Sequence, residues 1–139
     1  MRRLSDVTLD QAPLVLADST SVIEACRHMS ERRCGSVAVV DEAGRLVGIF
    51  TGRDAVSRVL ASGRDAAATR LADVMTRDPL TLSPEQTALD ALRLMWDGGF
   101  RHLPMVKGGR VVGVVSRGDF AGLEVDSHER ERELWEHMR

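Results

Sequence analysis

The amino-acid sequence predicts a mixed α/β (α+β) fold made of two tandem β-α-β-β-α units, and three observations predict it. The first is an internal repeat: displaced by 66 positions, Pro13, Leu16, Ala25, Arg27, Met29 and Val40 fall on Pro79, Leu82, Ala91, Arg93, Met95 and Val106. After one residue is dropped from a turn the displacement becomes 65, and Gly44, Arg45, Val47, Gly48 and Asp54 fall on Gly109, Arg110, Val112, Gly113 and Asp119. The second is the grammar inside each copy, where short Val/Ile-rich runs alternate with a helical period. The third is the way each copy ends. An apolar run enters Thr51-Gly52-Arg53-Asp54 in one and Ser116-Arg117-Gly118-Asp119 in the other.

In the first copy, Leu14-Val15-Leu16 is a short extended segment, and Ser21 to Glu24 is a capping box that opens a helix carrying Val22, Ala25, Cys26 and Met29 on one face. Val37 to Val40 and Arg45 to Phe50 then form a hairpin around a turn ending at Gly44. The second copy repeats this order with Leu80-Thr81-Leu82, a capped helix from Thr87 that presents Leu89, Leu92, Met95 and Trp96, and strands over Leu103–Val106 and Arg110–Val115. Pro104 inside a strand implies an edge position or a place where no backbone N–H is needed. The units span residues 7–63 and 71–125, joined by a connector at 64–70 too short to let them swing apart, with a charged tail at 126–139. In that tail Ser127 caps a helix that puts Leu134, Trp135 and Met138 on one face for docking; the alternative is a frayed charged end.

The 139 residues suffice for one sizeable core or for two small halves sharing one, and 43% apolar with 29% charged residues is ordinary for a globular chain. A net charge of −2 argues against a nucleic-acid coat, and no apolar run is long enough for a membrane span or a signal core. The expected address is the cytoplasm. Cys26 and Cys34 align with Leu92 and Phe100, so both are expected to serve as small buried hydrophobes, and no metal ligand set is expected. No Cys/His or Ser/His/Asp arrangement and no phosphate-binding glycine loop is present, so no catalytic residues and no enzyme are expected.

A strand feeding a helix start presents free N–H groups and a positive dipole end, which together seat a phosphate. The hydroxyl of Thr51 or Ser116 can donate to it, and the carboxylate of Asp54 or Asp119, an acceptor only, suits a sugar diol. The same four residues also read as a capping box in which the acid folds back on its own cap. Gly48 and Gly113, mid-strand, leave room either for a flat ligand or for close packing. Arg53, Arg101 and Arg117 are the nearest cations, suited to phosphate or else simply solvated.

The duplicated apolar-Ser/Thr-x-x-Asp ending, Val74-Met75-Thr76 before the second copy, and Arg101-His102-Leu103-Pro104-Met105-Val106 before its hairpin closely resemble a tandem pair of cystathionine β-synthase (CBS) domains, over about residues 5 to 125. The resemblance implies two units packed with pseudo-twofold symmetry and two clefts for adenosine-containing ligands such as AMP, ADP, ATP, NAD or S-adenosylmethionine. It places Asp119 and Ser116, with Arg117, Gly113, Thr81, Leu82, Arg101, His102, Leu103 and Pro104, at one cleft. It places Asp54 and Thr51, with Arg53, Gly48, Val15, Leu16, Ser36 and Val37, at the other. The apolar-Pro pattern stands only in the second copy, so the Asp119 cleft is expected to be the stronger binder. The implied role is a regulatory module with an adenine nucleotide as its ligand and no required cofactor, a homodimer that signals to an effector protein of unknown identity. The competing reading is a constitutive dimeric interaction scaffold with no nucleotide.

Overall fold

The computed structural model describes residues 3–4 and 12–116, so Arg117, Asp119 and the tail at 126–139 lie outside the described residues. The first half consists of β1 (Val15–Ala17), α1 (Val22–Arg32), β2 (Ser36–Val40), β3 (Leu46–Thr51) and α2 (Gly52–Asp54). A π-helical stretch (Ala55–Leu60) continues α2, with Ala61 N–H donating to the Val56 carbonyl at 2.8 Å. The crossover carries α3 (Leu71–Val74) and β4 (Thr76–Arg77), and the second half carries α4 (Ala88–Gly98), β5 (His102–Lys107) and β6 (Arg110–Ser116). One sheet runs β1-β2-β3-β4, parallel between β1 and β2 and antiparallel elsewhere; β5 and β6 form a separate antiparallel pair.

The helices form where caps and an apolar stripe coincide. The Ser21 hydroxyl accepts from Glu24 N–H at 3.3 Å to start α1, which buries Val22, Ala25 and Met29 and ends at Arg33 with φ 52°. At α4 the reciprocal box is complete: Asp90 N–H donates to Thr87 Oγ1 (3.2 Å) and Thr87 N–H to Asp90 Oδ2 (3.0 Å). That Thr87 N–H, more than any other contact, holds the Asp90 carboxyl below the usual range. Ala91 and Met95 are buried on α4, whereas Trp96, expected on the same apolar face, is 53% exposed. Met95 takes the inward position and the next residue lies about 100° further round the helix.

The two halves share one irregularity and differ in another. Both hairpins skip a residue just past the glycine, between Val39 and Val40 against β3 and between Met105 and Val106 against β6. Such a bulge adds local twist, and its repetition marks one unit used twice. The difference lies in the parallel pairing. In the first half, Ala38 N–H donates to the Leu14 carbonyl and Asp18 N–H to the Val40 carbonyl, both at 2.9 Å. The matching positions are Pro104 and Pro84, which have no N–H to give. Only the two bonds around Leu82 remain, Leu82 N–H to the Pro104 carbonyl and Val106 N–H to the Leu82 carbonyl. The extended segment expected at Leu80–Leu82 therefore shrinks to one bridge, Leu82 to Met105. Leu80 and Thr81 are released from the ladder.

Two cores result, and each is closed by chain that precedes the other copy in sequence. The first gathers Val22, Ala25, Met29, Val37, Val39 and Phe50, and is completed by Leu71, Val74 and Met75 from the crossover. The second gathers Leu82, Ala91, Met95, Leu103, Met105 and Val115, and is completed by Leu4. The straps attach alike: Leu71 N–H donates to the Thr20 carbonyl and Leu4 N–H to the Gln86 carbonyl, each at 2.9 Å. Cys26 and Cys34 pack partly buried against the first core, and burial pushes the Cys26 thiol pKa up.

Candidate functional site

Thr51 ends β3 and caps α2, so the apolar run through Ile49 and Phe50 delivers a hydroxyl and a carboxylate to the same spot. Asp54 N–H donates to Thr51 Oγ1 at 3.2 Å, while Thr51 N–H and the Thr51 hydroxyl both donate to Asp54 Oδ2, at 3.0 and 3.1 Å. Asp54 is 9% exposed. The capping-box reading of this tetrapeptide is thus the observed geometry. It occupies one carboxylate oxygen; the other, Oδ1, has Arg58 Nε at 3.6 Å. An oxygen with that single long approach keeps acceptor capacity.

The junction opens onto a cleft of about 750 Å³ that both halves build. The first contributes Gly35, Ile49 and Thr51 to Asp54, the crossover adds Thr76, Pro79 and Leu80, and the second adds Gly99 to Leu103. Ile49, Pro79, Leu80 and Phe100 supply apolar lining, while Thr51, Asp54, His102 and the exposed Arg53 and Arg101 supply polar groups. A cavity that is mostly apolar with a few convergent polar groups is the ordinary form of a small-molecule site.

The structure regroups the expected site residues. Thr51, Arg53 and Asp54, assigned to one cleft, share this cavity with Arg101, His102 and Leu103, assigned to the other. The physical reason is the packing of the halves, which sets one copy's strand-to-helix junction opposite the entry to β5 of the other. Contact across it is close: a methyl group added at Gly35 would lie 3.1 Å from His102 Nε2. Ser36 pairs with Thr51 at the base of the junction, and Ser116 with His102.

Several expected residues do not line this cleft. Val37, Leu82 and Pro104 are buried, and Val15 and Leu16 sit on β1. Gly113 pairs with Met105 in the hairpin. Gly48 serves packing: a Cβ there would stand 2.5 Å from Met75 Sδ and 2.9 Å from the Thr76 carbonyl. Thr81 lines a different, open pocket of about 400 Å³ with Arg45, Asp78 and Val106. Sequence reasoning missed Gly35, Pro79, Leu80 and Phe100. Phe100 had a legible signal in the Gly98-Gly99 pair before it, since its ring lies over Gly98, where an added Cβ would come within 2.2 Å. Among the described residues no group of three His, Cys, Asp or Glu is placed to hold a metal ion.

The sequence profile of the CBS domain matches residues 4–61 and again residues 71–126. This chain belongs to the CBS domain family. The CBS pair is 37% identical over 114 residues to the CBS domain-containing protein CBSCBSPB2 of Arabidopsis thaliana, covering 82% of this chain and 21% of that protein. The chain thus spans about a fifth of the length of the first such plant relatives. Among solved structures it is similar to a putative signal-transduction protein with CBS domains from Burkholderia ambifaria, with TM-score 0.81 and 26% identity, over 90% of this chain and 95% of that one. It is also similar to the CBS domain pair of protein MJ0100, with TM-score 0.79 and 25% identity, over 88% of this chain and 98% of that one. The MJ0100 pair was crystallised in complex with 5′-methylthioadenosine and S-adenosyl-L-methionine.

Proposed function

We propose that this CBS pair is a regulatory module that binds an adenosine-type small molecule in the cleft between its halves and passes the bound state to a partner protein. The observation that carries the reading is that one 750 Å³ cleft joins the Thr51–Asp54 junction of the first copy to Arg101–Leu103 of the second. A base would rest against Phe100 and Leu80, ribose hydroxyls would donate to Asp54, and Thr51, Arg53 and Arg101 would hold a phosphate. The adenosine ligands of the MJ0100 pair support that choice of chemistry. Val56 and Leu60, 59% and 70% exposed and four residues apart on one helix, support a homodimer. The cleft's role in this reading is recognition and signalling, with no catalytic step.

An adenosine compound at a hundred times its dissociation constant stabilises the fold by about 2.7 kcal/mol, a rise in melting temperature on the order of 5 to 10 °C for a chain of this size. AMP, ADP, ATP, NAD, 5′-methylthioadenosine and S-adenosylmethionine are screened by thermal shift. Loss of Asp54 separates the two roles of that residue. Asp54→Ala costs the apo fold about 1 kcal/mol as a missing cap partner, and it weakens the ligand by about 1.5 to 3 kcal/mol through lost charge-assisted hydrogen bonds. Isothermal titration of both proteins reads the second effect.

The scaffold reading has one observation in its favour, the internally satisfied box of Thr51 and Asp54. It predicts the stability loss of Asp54→Ala with no response to any of the six compounds.

A further inference from the structure

We propose that Arg58 is a positioning residue that links the cleft carboxylate of Asp54 to the crossover between the halves. The proposal rests on the ligand reading above. Arg58 stands on the π-helical stretch, and its guanidinium engages two elements at once. Its Nε is 3.6 Å from Asp54 Oδ1, and its Nη1 donates to the Val74 and Met75 carbonyls at 3.3 and 3.1 Å. Those carbonyls belong to the C-terminal end of α3, where helix acceptors lack intrahelical partners and a cation complements the dipole.

The elements on either side of Arg58 have little freedom. Asp54 is held by Thr51 through Oδ2, so only Oδ1 is shared between Arg58 and a ligand hydroxyl. Met75, on the far side, packs its sulfur over Gly48. From Met75 the chain runs directly through β4 to Pro79 and Leu80 at the cleft wall. A guanidinium is a rigid planar fork, so a change in where the carboxylate sits is felt at the carbonyls. π-Helical turns are concentrated at functional sites, and this one sets Arg58 between the two elements.

The repeat supplies a second, independent argument. The 65-residue displacement that carries Asp54 to Asp119 carries Arg58 to Leu123. The two acids are kept and the arginine is not. The crossover bearing Val74 and Met75 passes the first junction, and that is the copy with the arginine.

The test uses the full chain with AMP, ATP, 5′-methylthioadenosine and S-adenosylmethionine, and compares wild type with Arg58→Met and Arg58→Lys. Two quantities are read: ligand affinity by titration, and hydrogen exchange at the Ala72 and Met75 amides, which lie on the crossover but do not line the cleft. In wild type the ligand slows exchange at both amides. In Arg58→Met the affinity falls about tenfold and the slowing disappears, while Arg58→Lys, which keeps the charge but not the fork, recovers part of each. A purely structural role would lower the apo melting temperature and leave the ligand-dependent slowing in place. Wild-type binding with unchanged affinity and unchanged slowing in Arg58→Met overturns this proposal alone. Failure of wild type to bind any of the four compounds overturns the ligand reading, and this proposal with it.

Discussion

Leu4→Ala lowers the melting temperature by about 4 to 15 °C, read by circular dichroism or calorimetry, as expected for a loss of about 2 to 4 kcal/mol in a chain of this size. Leu4 stands in sequence before β1 of the first half. Here the side chain is 0% exposed and lies in the second core with Leu82, Ala91, Met95 and Leu103. Truncation leaves a void that those neighbours fill only in part, so the cost exceeds the transfer energy of the lost methyl groups. The damage appears in the second half. Exchange of the α4 and β5 amides rises, although more than seventy residues separate them in sequence from position 4.

Leu71→Ala has a comparable cost, about 2 to 5 kcal/mol, and its damage falls on the opposite half. Leu71 begins the helical turn that stands, in sequence, at the head of the second copy. In space it is 0% exposed among Val22, Ala25, Met29, Val37 and Phe50 of the first. Exchange at the α1 and β2 amides is therefore the readout. The two leucines belong to separate clusters with no shared member, so the double substitution is expected to cost the sum of the single ones to within about 0.5 kcal/mol. A result in which each substitution loosens only the copy nearest in sequence would refute the exchange of straps.

On the proposed regulatory reading, that exchange has a consequence for signalling. Each half is completed by the segment leading into the other, so opening one half loosens the entry to its twin. The crossover that carries Leu71, Val74 and Met75 into the first core continues to Thr76, Pro79 and Leu80 at the cleft wall. A ligand that tightens the wall pulls on the same chain that closes the core. This is also the element whose Val74 and Met75 carbonyls accept from Arg58.

The parts of the fold legible in the sequence were those with a local signature. Both capped helices and both hairpins stand where spacing, Ser/Thr caps and glycine turns put them, because each depends on residues within a few positions of one another. Trp96 was misplaced because a 3.6-residue stripe has soft edges, and packing decided that Met95 turned inward. Pro104 was legible as a residue without a needed N–H, but its effect emerged only beside Ala38. The missing donors of Pro104 and Pro84 leave Leu80 free to line the cleft. Gly48 left two readings open in sequence, and the sulfur of Met75 decided for packing.

By itself the sequence determined that one supersecondary unit is used twice, that each copy ends in a hydroxyl followed three residues on by a carboxylate, and, in the first copy, that these stand at a helix start. Tertiary structure alone decided which copy's residues meet in the cleft and which strap closes which core. The reason is that Asp54 and His102, or Leu4 and Leu103, are joined by no periodicity and no turn. Their proximity follows from the way two like halves bury their apolar faces, a choice made between surfaces and not along the chain.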